Sequence, residues 1–204
     1  MKYMPLFIDL KGRKVLVIGG GRVALRRARQ FSEAGAHLTI IAPEILPEFA
    51  GLPNSTQLLR KAGAEDISSN FLLTLIASND SQFNAEMAER CRSLNLLFNR
   101  CDSFEESSFI NGSLINAGEI IGAVTSGGVP AISKHLQKKI EQLLTPELIE
   151  LSRLLAELRP AIKASKLLQG SHNEFIASWV NEETLARLRD ENSDNLRQEI
   201  LACL

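Results

Sequence analysis

Three glycines that directly follow a short apolar run point most clearly to chemistry in this sequence. Val15–Ile18 is predicted to be a buried strand, and Gly19, Gly21 and Ala24 then match the spacing G-x-G-x-x-G/A. At that spacing the first residue permits a tight turn, the second lets the backbone approach a pyrophosphate, and the third lets helix and strand pack closely. The following helix would present its positive end to the phosphates. The pattern predicts a dinucleotide site; the alternative is a strand–helix turn that binds nothing.

A carboxylate after the next predicted strand is a candidate ligand for the adenosine ribose. This strand is predicted at His37–Ala42, and Glu44 follows directly after Pro43. An acidic residue about twenty residues beyond the glycines commonly binds the ribose hydroxyls. An exposed loop glutamate is the alternative interpretation of Glu44. No arginine comes immediately after the strand, which favours NAD over NADP.

Polar residues also follow the continuously apolar run Phe71–Ala77, which is typical of a central parallel strand. They are Ser78, Asn79 and Asp80. Open α/β sheets bind ligands at the carboxyl ends of their strands, so these residues are predicted cofactor contacts. The alternative is structural, since Asp80 or Ser81 could cap a helix predicted at Gln82–Leu94.

A carboxylate at the end of the next predicted strand, Leu96–Asn99, is the candidate catalytic group. Arg100, Cys101 and Asp102 emerge from that end. Beside a nucleotide, Asp102 would be well placed to act as a general base. The alternative is that Asp102 only forms a turn.

The elements that would position these residues alternate between strand and helix, which predicts a parallel, Rossmann-like α/β sheet. A short third strand is predicted at Gln57–Lys61. Beyond the sheet the pattern changes to short β-like runs, a helix at Ala131–Leu144 and helical sequence from Pro146 to Leu204. The β-like runs are Ser108–Ile110, Leu114–Asn116 and Ile120–Thr125. We therefore predict three regions: an NAD-binding domain at 1–109, a small β–α connecting region at 110–145 and an all-helical C-terminal domain at 146–204.

Composition excludes several classes of function. The 204 residues are 45% hydrophobic and carry a formal net charge of −1, so no overall field recruits nucleic acid or a membrane surface. No apolar run is long enough to cross a bilayer, and the N-terminus has no secretory h-region. The three cysteines have no C-x-x-C spacing and the three histidines are scattered, so we predict a reduced, cytoplasmic protein without a bound metal.

Several motifs in order resemble one known family. They are Met4-Pro5-Leu6-Phe7, Gly19 to Ala24 with Arg27-Ala28, Ala42-Pro43-Glu44, Ala77 to Asp80 with Asn84, Asn99 to Asp102, Ser108-Phe109-Ile110 and Ser126-Gly127-Gly128. The chain is similar to the precorrin-2 dehydrogenase / sirohydrochlorin ferrochelatase family, the N-terminal module of bifunctional siroheme synthases. The resemblance covers about residues 1–145 with ordered motifs, and the helical remainder in general character only.

The resemblance implies an enzyme that uses NAD⁺ to oxidise precorrin-2 to sirohydrochlorin, in a homodimer whose dimerisation region is residues 110–145. Many members also insert Fe²⁺ to give siroheme, and the sequence does not decide whether this chain does. The resemblance assigns the essential aspartate to Asp102 and an active-site serine, phosphorylated in some members, to Ser126. Together with the glycine pattern, the predicted cofactor contacts are Gly19, Gly20, Gly21, Arg22, Val23, Ala24, Pro43, Glu44, Ser78, Asn79 and Asp80.

The substrate would be a macrocycle with eight carboxylates, which requires cations and N–H donors around it. The predicted substrate contacts are Asn99, Arg100, Ser126, Gly127, Gly128, Lys134 and His135. Arg22, Lys138 and Lys139 are further cations, although the two lysines are more simply explained as a solvated helix face. The chain departs from the family at Gly112, where a proline is usual, and at Val129–Ala131, which is one residue shorter than the family pattern. Both departures concern the substrate and dimer region.

Two other functions remain open on the sequence. One is a regulator that binds NAD or a tetrapyrrole and has lost activity; the other is an NAD-dependent oxidoreductase for a different anionic substrate. The predicted helix at Ala131–Leu144 also carries an apolar stripe, formed by Ile132, Leu136, Ile140 and Leu143. The stripe is either intramolecular core or a subunit interface, and the resemblance favours the interface.

Overall fold

The computed structural model of the chain describes residues 3–168, 170–190 and 192–204. It divides between Asn111 and Gly112 into two units, each with its own contacts. This division falls close to the predicted end of the first domain at residue 109. The separate dimerisation region predicted at 110–145 stays a prediction, since the second unit runs on to the C-terminus.

A five-stranded parallel sheet forms the centre of the first unit, in the order β3-β2-β1-β4-β5. The strands are β1 (Lys14–Ile18), β2 (His37–Ala42), β3 (Ser55–Leu59), β4 (Leu73–Ile76) and β5 (Leu97–Arg100), and the long helices are α1 (Arg22–Glu33) and α2 (Ser81–Ser93). Short 3₁₀ segments lie at Pro47–Gly51 and Ala64–Asp66. The strand order reverses between β1 and β4, which is the switch point where such sheets bind ligands. The predicted α/β fold is therefore confirmed.

The sheet is buried on both faces, as a parallel sheet requires. Along β1, Val15 and Val17 pack into one cluster with α1, while Leu16 and Ile18 pack into another with α2. Ala24 and Ala28 bring α1 close to the sheet, because both are fully buried and carry only a methyl group. This close packing fixes the start of α1 at the carboxyl end of β1.

One predicted β-like run in the first unit is wrong. Ser108–Ile110 is not a strand, although it folds back beside β5. The N–H of Phe98 donates to the side-chain Oγ of Ser108 (2.7 Å), and the N–H groups of Ser108 and Phe109 both donate to the Phe98 carbonyl. A side-chain hydroxyl thus takes the backbone donor that a ladder would use, which prevents regular pairing.

The second unit begins with an antiparallel hairpin and continues as helices. The hairpin is formed by β6 (Ser113–Ala117) and β7 (Ile120–Val124), and the helices are α3 (Pro130–Leu143), α4 (Pro146–Ala164), α5 (His172–Ser178), α6 (Glu182–Asp190) and α7 (Ser193–Ala202). The predicted helical region is therefore broken into four helices after Pro146; residues 169 and 191 of it lie outside the described residues. Leucines of α4, among them Leu151 and Leu154, form a core with α7.

None of the helices in the described part of the chain is both long enough and apolar enough to span a membrane.

Candidate functional site

Gly19 and Gly20 are required by close backbone approaches from two sides. Gly19 has a φ of +129°, and a Cβ there would collide with the carbonyl oxygen of Ala77 after β4. A Cβ on Gly20 would collide with the carbonyl oxygen of Glu44 after β2, and the Gly20 carbonyl accepts a hydrogen bond from Leu46 N (3.0 Å). The loop is therefore held between the ends of β2 and β4. The dinucleotide pattern did not single out Gly20, and only the unbroken run of three glycines hinted at it.

Gly21 differs from its neighbours because nothing lies within 4 Å of the position its Cβ would take. It is the N-cap of α1, and the first turn of that helix contains no acidic residue. The first N–H groups of the helix have no intrahelical acceptor, and the positive end of the helix dipole lies there. Arg22, at the first helical position, is exposed. An open glycine, unpaired N–H groups and a cation together fit the pyrophosphate of a dinucleotide.

The predicted ribose ligand Glu44 lies beside this loop. Its backbone packs on Gly20, while its side chain is exposed, as is Pro43. Within the described residues the Glu44 carboxylate has no hydrogen-bond or ion-pair partner. The carboxylate is thus available to accept hydrogen bonds from hydroxyl groups of a ligand.

The turn between β4 and α2 is held by its own side chains. Asp80 Oδ1 accepts a hydrogen bond from Phe83 N (3.0 Å) and so caps α2, as one of the two sequence interpretations proposed. Asn84 is fully buried; its Oδ1 accepts from Ser78 Oγ (2.6 Å) and its Nδ2 donates to the Ser78 carbonyl (3.0 Å). Ser78 and Asp80 are therefore engaged in the turn, whereas the Asn79 side chain is exposed.

Asp102 forms a two-point ion pair with Arg100 at the end of β5. Arg100 Nε lies 2.9 Å from Asp102 Oδ1, and Nη2 lies 3.1 Å from Oδ2. The Arg100 side chain is 8% exposed and that of Asp102 is 30% exposed. The planar guanidinium therefore fixes the carboxylate in one orientation while leaving part of it open to solvent.

The remaining donors of Arg100 are also used within the chain. Nη2 donates to the backbone carbonyl (3.0 Å) and to Oγ (2.9 Å) of Ser81, the first residue of α2, and Nη1 pairs with the Glu106 carboxylate. Every guanidinium nitrogen of this predicted substrate cation thus has a partner in its own chain. The sequence predicted neither the Ser81 contact nor the Glu106 contact; Ser81 was considered only as a helix cap.

The protonation state of Asp102 follows from these contacts. Burial alone would raise the pKa of Asp102. Hydrogen bonds from Arg100, and smaller ones from Asn84 and Ser81 of α2, outweigh burial and hold the pKa below its ordinary value of 3.8. Asp102 is therefore an anion at neutral pH and can accept a proton.

Asn99 on β5 and Cys101 in the turn beyond it are neighbours of Asp102. Asn99 Nδ2 donates to the Phe109 carbonyl (3.0 Å), which ties the returning segment to the strand. Burial raises the pKa of the Cys101 thiol to about 11, so this cysteine is not a thiolate nucleophile at neutral pH.

The predicted substrate residues of the second unit lie around the start of α3. Ser126 Oγ donates to the Val129 carbonyl (2.5 Å) and is 2.6 Å from Ser133 Oγ. Gly127 and Gly128 have φ angles of 58° and 87°, in the left-handed region that favours glycine. Lys134 and His135 are exposed on α3. These contacts make Ser126 part of the turn between β7 and α3, and the two glycines that follow it are exposed.

Within the first unit the predicted residues converge on one edge of the sheet. The carboxyl ends of β1, β2, β4 and β5 lie side by side there, since the strands are parallel neighbours. Across that edge Gly19 N donates to the Ile41 carbonyl (3.0 Å) and Cys101 N donates to the Ile76 carbonyl (2.9 Å). Among the described residues no group of three or more His, Cys, Asp or Glu side chains is arranged to hold a metal ion. The edge thus combines an open glycine loop at a helix N-terminus with an ionised, partly exposed carboxylate.

Comparisons with known proteins agree with this arrangement. The family described as "Putative NAD(P)-binding" matches residues 6–113. A siroheme synthase of Tolumonas auensis is 37% identical over 164 residues, which is 80% of this chain and 35% of the relative. A siroheme synthase of Salmonella schwarzengrund is 32% identical over 190 residues, which is 92% of this chain and 42% of the relative. The chain thus spans less than half the length of these curated relatives.

A solved structure extends the likeness over the whole chain. The structure of "SirC, precorrin-2 dehydrogenase" matches with a TM-score of 0.80 at 23% sequence identity and covers 98% of this chain and 98% of that chain. The fold of the parallel sheet followed by a hairpin and a helical region is therefore shared.

Proposed function

Because the chain belongs to the family of putative NAD(P)-binding proteins, we propose that it is a dehydrogenase that oxidises precorrin-2 to sirohydrochlorin with NAD⁺. The observation that carries the proposal is the placement of the ion-paired Asp102 on the same sheet edge as the glycine loop. The likeness to siroheme synthases over 92% of the chain supports this choice of substrate over another anionic one.

The glycine loop and the residues beside it would hold the cofactor. Gly21 and the first N–H groups of α1 bind the pyrophosphate, and Glu44 accepts hydrogen bonds from the adenosine ribose. Bound NAD⁺ would supply the hydride acceptor, which protein side chains cannot provide. An exposed carboxylate at Glu44 repels a 2′-phosphate, which supports NAD over NADP.

Asp102 would take the proton that the oxidation releases. The substrate loses a hydride and a proton; the two electrons leave with the hydride, and the proton passes to an oxygen of Asp102 and then to solvent. Because its pKa is lowered, Asp102 is ionised at neutral pH, binds the proton only weakly and passes it on readily. Because its oxygens are only partly buried, the proton can leave to water before the next turnover.

Iron insertion is the second activity that this site would support. Inserting Fe²⁺ into sirohydrochlorin displaces protons from pyrrole nitrogens, and Asp102 is an acceptor for them. The macrocycle supplies nitrogen ligands for the metal, so the protein needs no metal cluster of its own. The described residues contain no such cluster.

The proposed partner is a second copy of the chain, with which it forms a homodimer. The proposed compartment is the cytoplasm. The apolar stripe of α3 is exposed within its own unit, with Ile132 50%, Leu136 42% and Leu143 71% exposed. Ile121 of β7 is 55% exposed as well. A contiguous exposed apolar surface of this kind is typical of a subunit interface. In that homodimer, Ser126 to Gly128 together with Lys134 and His135 would contact the substrate carboxylates.

Anaerobic incubation with precorrin-2 and NAD⁺ tests the proposal directly. We expect sirohydrochlorin and NADH to form in equal amounts, as measured by their absorbance. The same reaction repeated with Fe²⁺ tests chelation. NADP⁺ in place of NAD⁺ should support a slower reaction. A folded protein that binds NAD⁺ but forms no sirohydrochlorin would instead favour the alternative function, a regulator that binds NAD or a tetrapyrrole and has lost activity.

A further inference from the structure

We propose that Arg100 is a positioning residue, which fixes the orientation of the Asp102 carboxylate and stabilises its ionised form. This inference rests on the proposed role of Asp102 as the proton acceptor. It replaces the direct contact with substrate carboxylates that the sequence suggested for Arg100.

The contacts of Arg100 support positioning over substrate binding. A guanidinium that bound substrate would present unused N–H groups to solvent, whereas Arg100 is 8% exposed and uses all three nitrogens internally. Two of these nitrogens contact the two oxygens of Asp102 as a planar fork. Such a fork restricts the rotation of a carboxylate that would otherwise turn freely.

Arg100 is itself anchored on a different element. Its Nη2 contacts both the carbonyl and the hydroxyl of Ser81 at the start of α2. The backbone N–H of Arg100 donates to Ser107 Oγ (2.9 Å). The guanidinium thus connects the end of β5 to the start of α2. It links Asp102, which lies in the turn beyond the strand, to both elements.

Arg100 is the cation in direct contact with Asp102, which makes its effect measurable. Among the described residues, the titratable groups at Asp102 and its neighbours are Arg100 and Cys101 on its own segment, Glu106 across Arg100, and Arg26 and Arg27 of α1, which act on Cys101; α2 contributes the uncharged Ser81 and Asn84. Loss of Arg100 would leave Asp102 partly buried beside a carboxylate, and both effects favour the protonated form.

The first test is a carboxyl ¹³C NMR titration of the whole protein, with Asp102 assigned by the signal lost in Asp102→Asn. In Arg100→Gln we expect the Asp102 midpoint to rise by about 1 to 3 pH units, the range that removal of an adjacent opposite charge produces. Arg60→Gln is the matched control, because Arg60, directly after β3, makes a similar two-point pair with Asp66 of the 3₁₀ segment Ala64–Asp66. This variant should leave the Asp102 midpoint unchanged. An unchanged Asp102 midpoint in folded Arg100→Gln would overturn the proposal.

The second test separates positioning from binding and does not depend on Arg100→Gln folding. Arg100→Lys keeps the cation but loses the fork. Positioning predicts a kcat lowered by up to about 100-fold with an unchanged KM for the tetrapyrrole, because misplacement of a reacting group slows the chemical step. A raised KM with unchanged kcat would show direct substrate binding and refute our assignment. The NMR titration needs no substrate, so a wild-type protein without activity would count against the proposed function alone.

Discussion

At the scale of single residues, the three glycines have separate roles, and substitutions should separate them. Gly21→Asp would add a negative charge in open space, where the pyrophosphate is expected. We expect loss of NAD⁺ binding, measured by calorimetry, with an unchanged far-UV circular dichroism spectrum. Gly20→Ala, in contrast, would collide with the Glu44 carbonyl and should lower the melting temperature. Retained NAD⁺ affinity in Gly21→Asp would place the cofactor elsewhere.

Asp102→Asn tests the proton acceptor. The amide keeps the shape of the side chain but cannot accept the proton, and loss of a general base costs about 10²–10⁴-fold in rate. Sirohydrochlorin formation should fall accordingly, while NAD⁺ affinity stays unchanged because the glycine loop is untouched. Iron insertion, if measured in the wild type, should fall with it. Near-wild-type oxidation by this variant would mean that solvent takes the proton directly.

The low pKa of Asp102 also sets the sign of a pH effect. A carboxyl whose pKa is lower in the folded state than in the unfolded chain stabilises the fold above pH 3.8, and this contribution disappears as the pH falls through the folded-state pKa. Between pH 5 and 8, roughly the usual range of maximal stability, Asp102 should therefore cause no change in rate or stability. A fall in kcat within that range that persists in Asp102→Asn would have to arise from another group.

At the scale of helices and strands, the sequence was most informative where one residue type has one structural use. The strand at His37–Ala42 was predicted with its observed ends, because Gly35 and Pro43 bound it. Thr145-Pro146 predicts an N-cap followed by a proline at the first helical position, and the hydrogen bond from Leu148 N to Thr145 Oγ1 (3.3 Å) confirms this cap of α4. Such local signals are independent of tertiary contacts.

The sequence failed where a serine hydroxyl had a choice of partners. The spacing Ser171-x-x-Glu174 predicts a capping box, but Ser171 Oγ does not accept a hydrogen bond from α5; it donates to the Leu168 carbonyl instead (3.4 Å). The incorrect strand at Ser108–Ile110 has the same origin. Likewise, nothing local to Arg100 indicates that Ser81 and Glu106, from other segments, would occupy its donors. Such partners are determined by the fold, so a single sequence cannot reveal them.

The start of α4 offers a test at the scale of an element. Hydrogen bonds from Thr145 and from the Glu147 backbone, together with Arg189, lower the pKa of Glu147 to about 2 from 4.5. Its contribution to stability is therefore present above pH 4.5 and is lost as the pH falls towards 2.

Thr145→Ala should cost about 1 kcal/mol in urea unfolding at pH 7, the usual value of such a cap, whereas Thr145→Ser should cost less. Equal free energies of unfolding for the wild type and Thr145→Ala would show that the Thr145 cap does not stabilise the protein.

At the scale of the whole molecule, the exposed stripe on α3 predicts self-association. Leu136→Glu places a charge in the centre of that stripe and should produce monomers in sedimentation experiments at micromolar concentration, where the wild type should be dimeric. Lys138→Glu changes charge on the same helix outside the stripe and should leave the dimer intact. A monomeric wild-type protein at that concentration would contradict the proposed assembly.

The pairing of Arg100 with two carboxylates has a consequence for the kinetics of encounter. The group formed by Arg100, Asp102 and Glu106 carries a net charge of −1, so it slows the approach of a polyanionic substrate. Attraction at a distance must come from unpaired cations, and on α1 three exposed arginines without partners in the described chain supply it: Arg22, Arg26 and Arg29. Association should therefore slow as ionic strength rises, because salt screens this attraction, while the reaction of the bound substrate is unaffected.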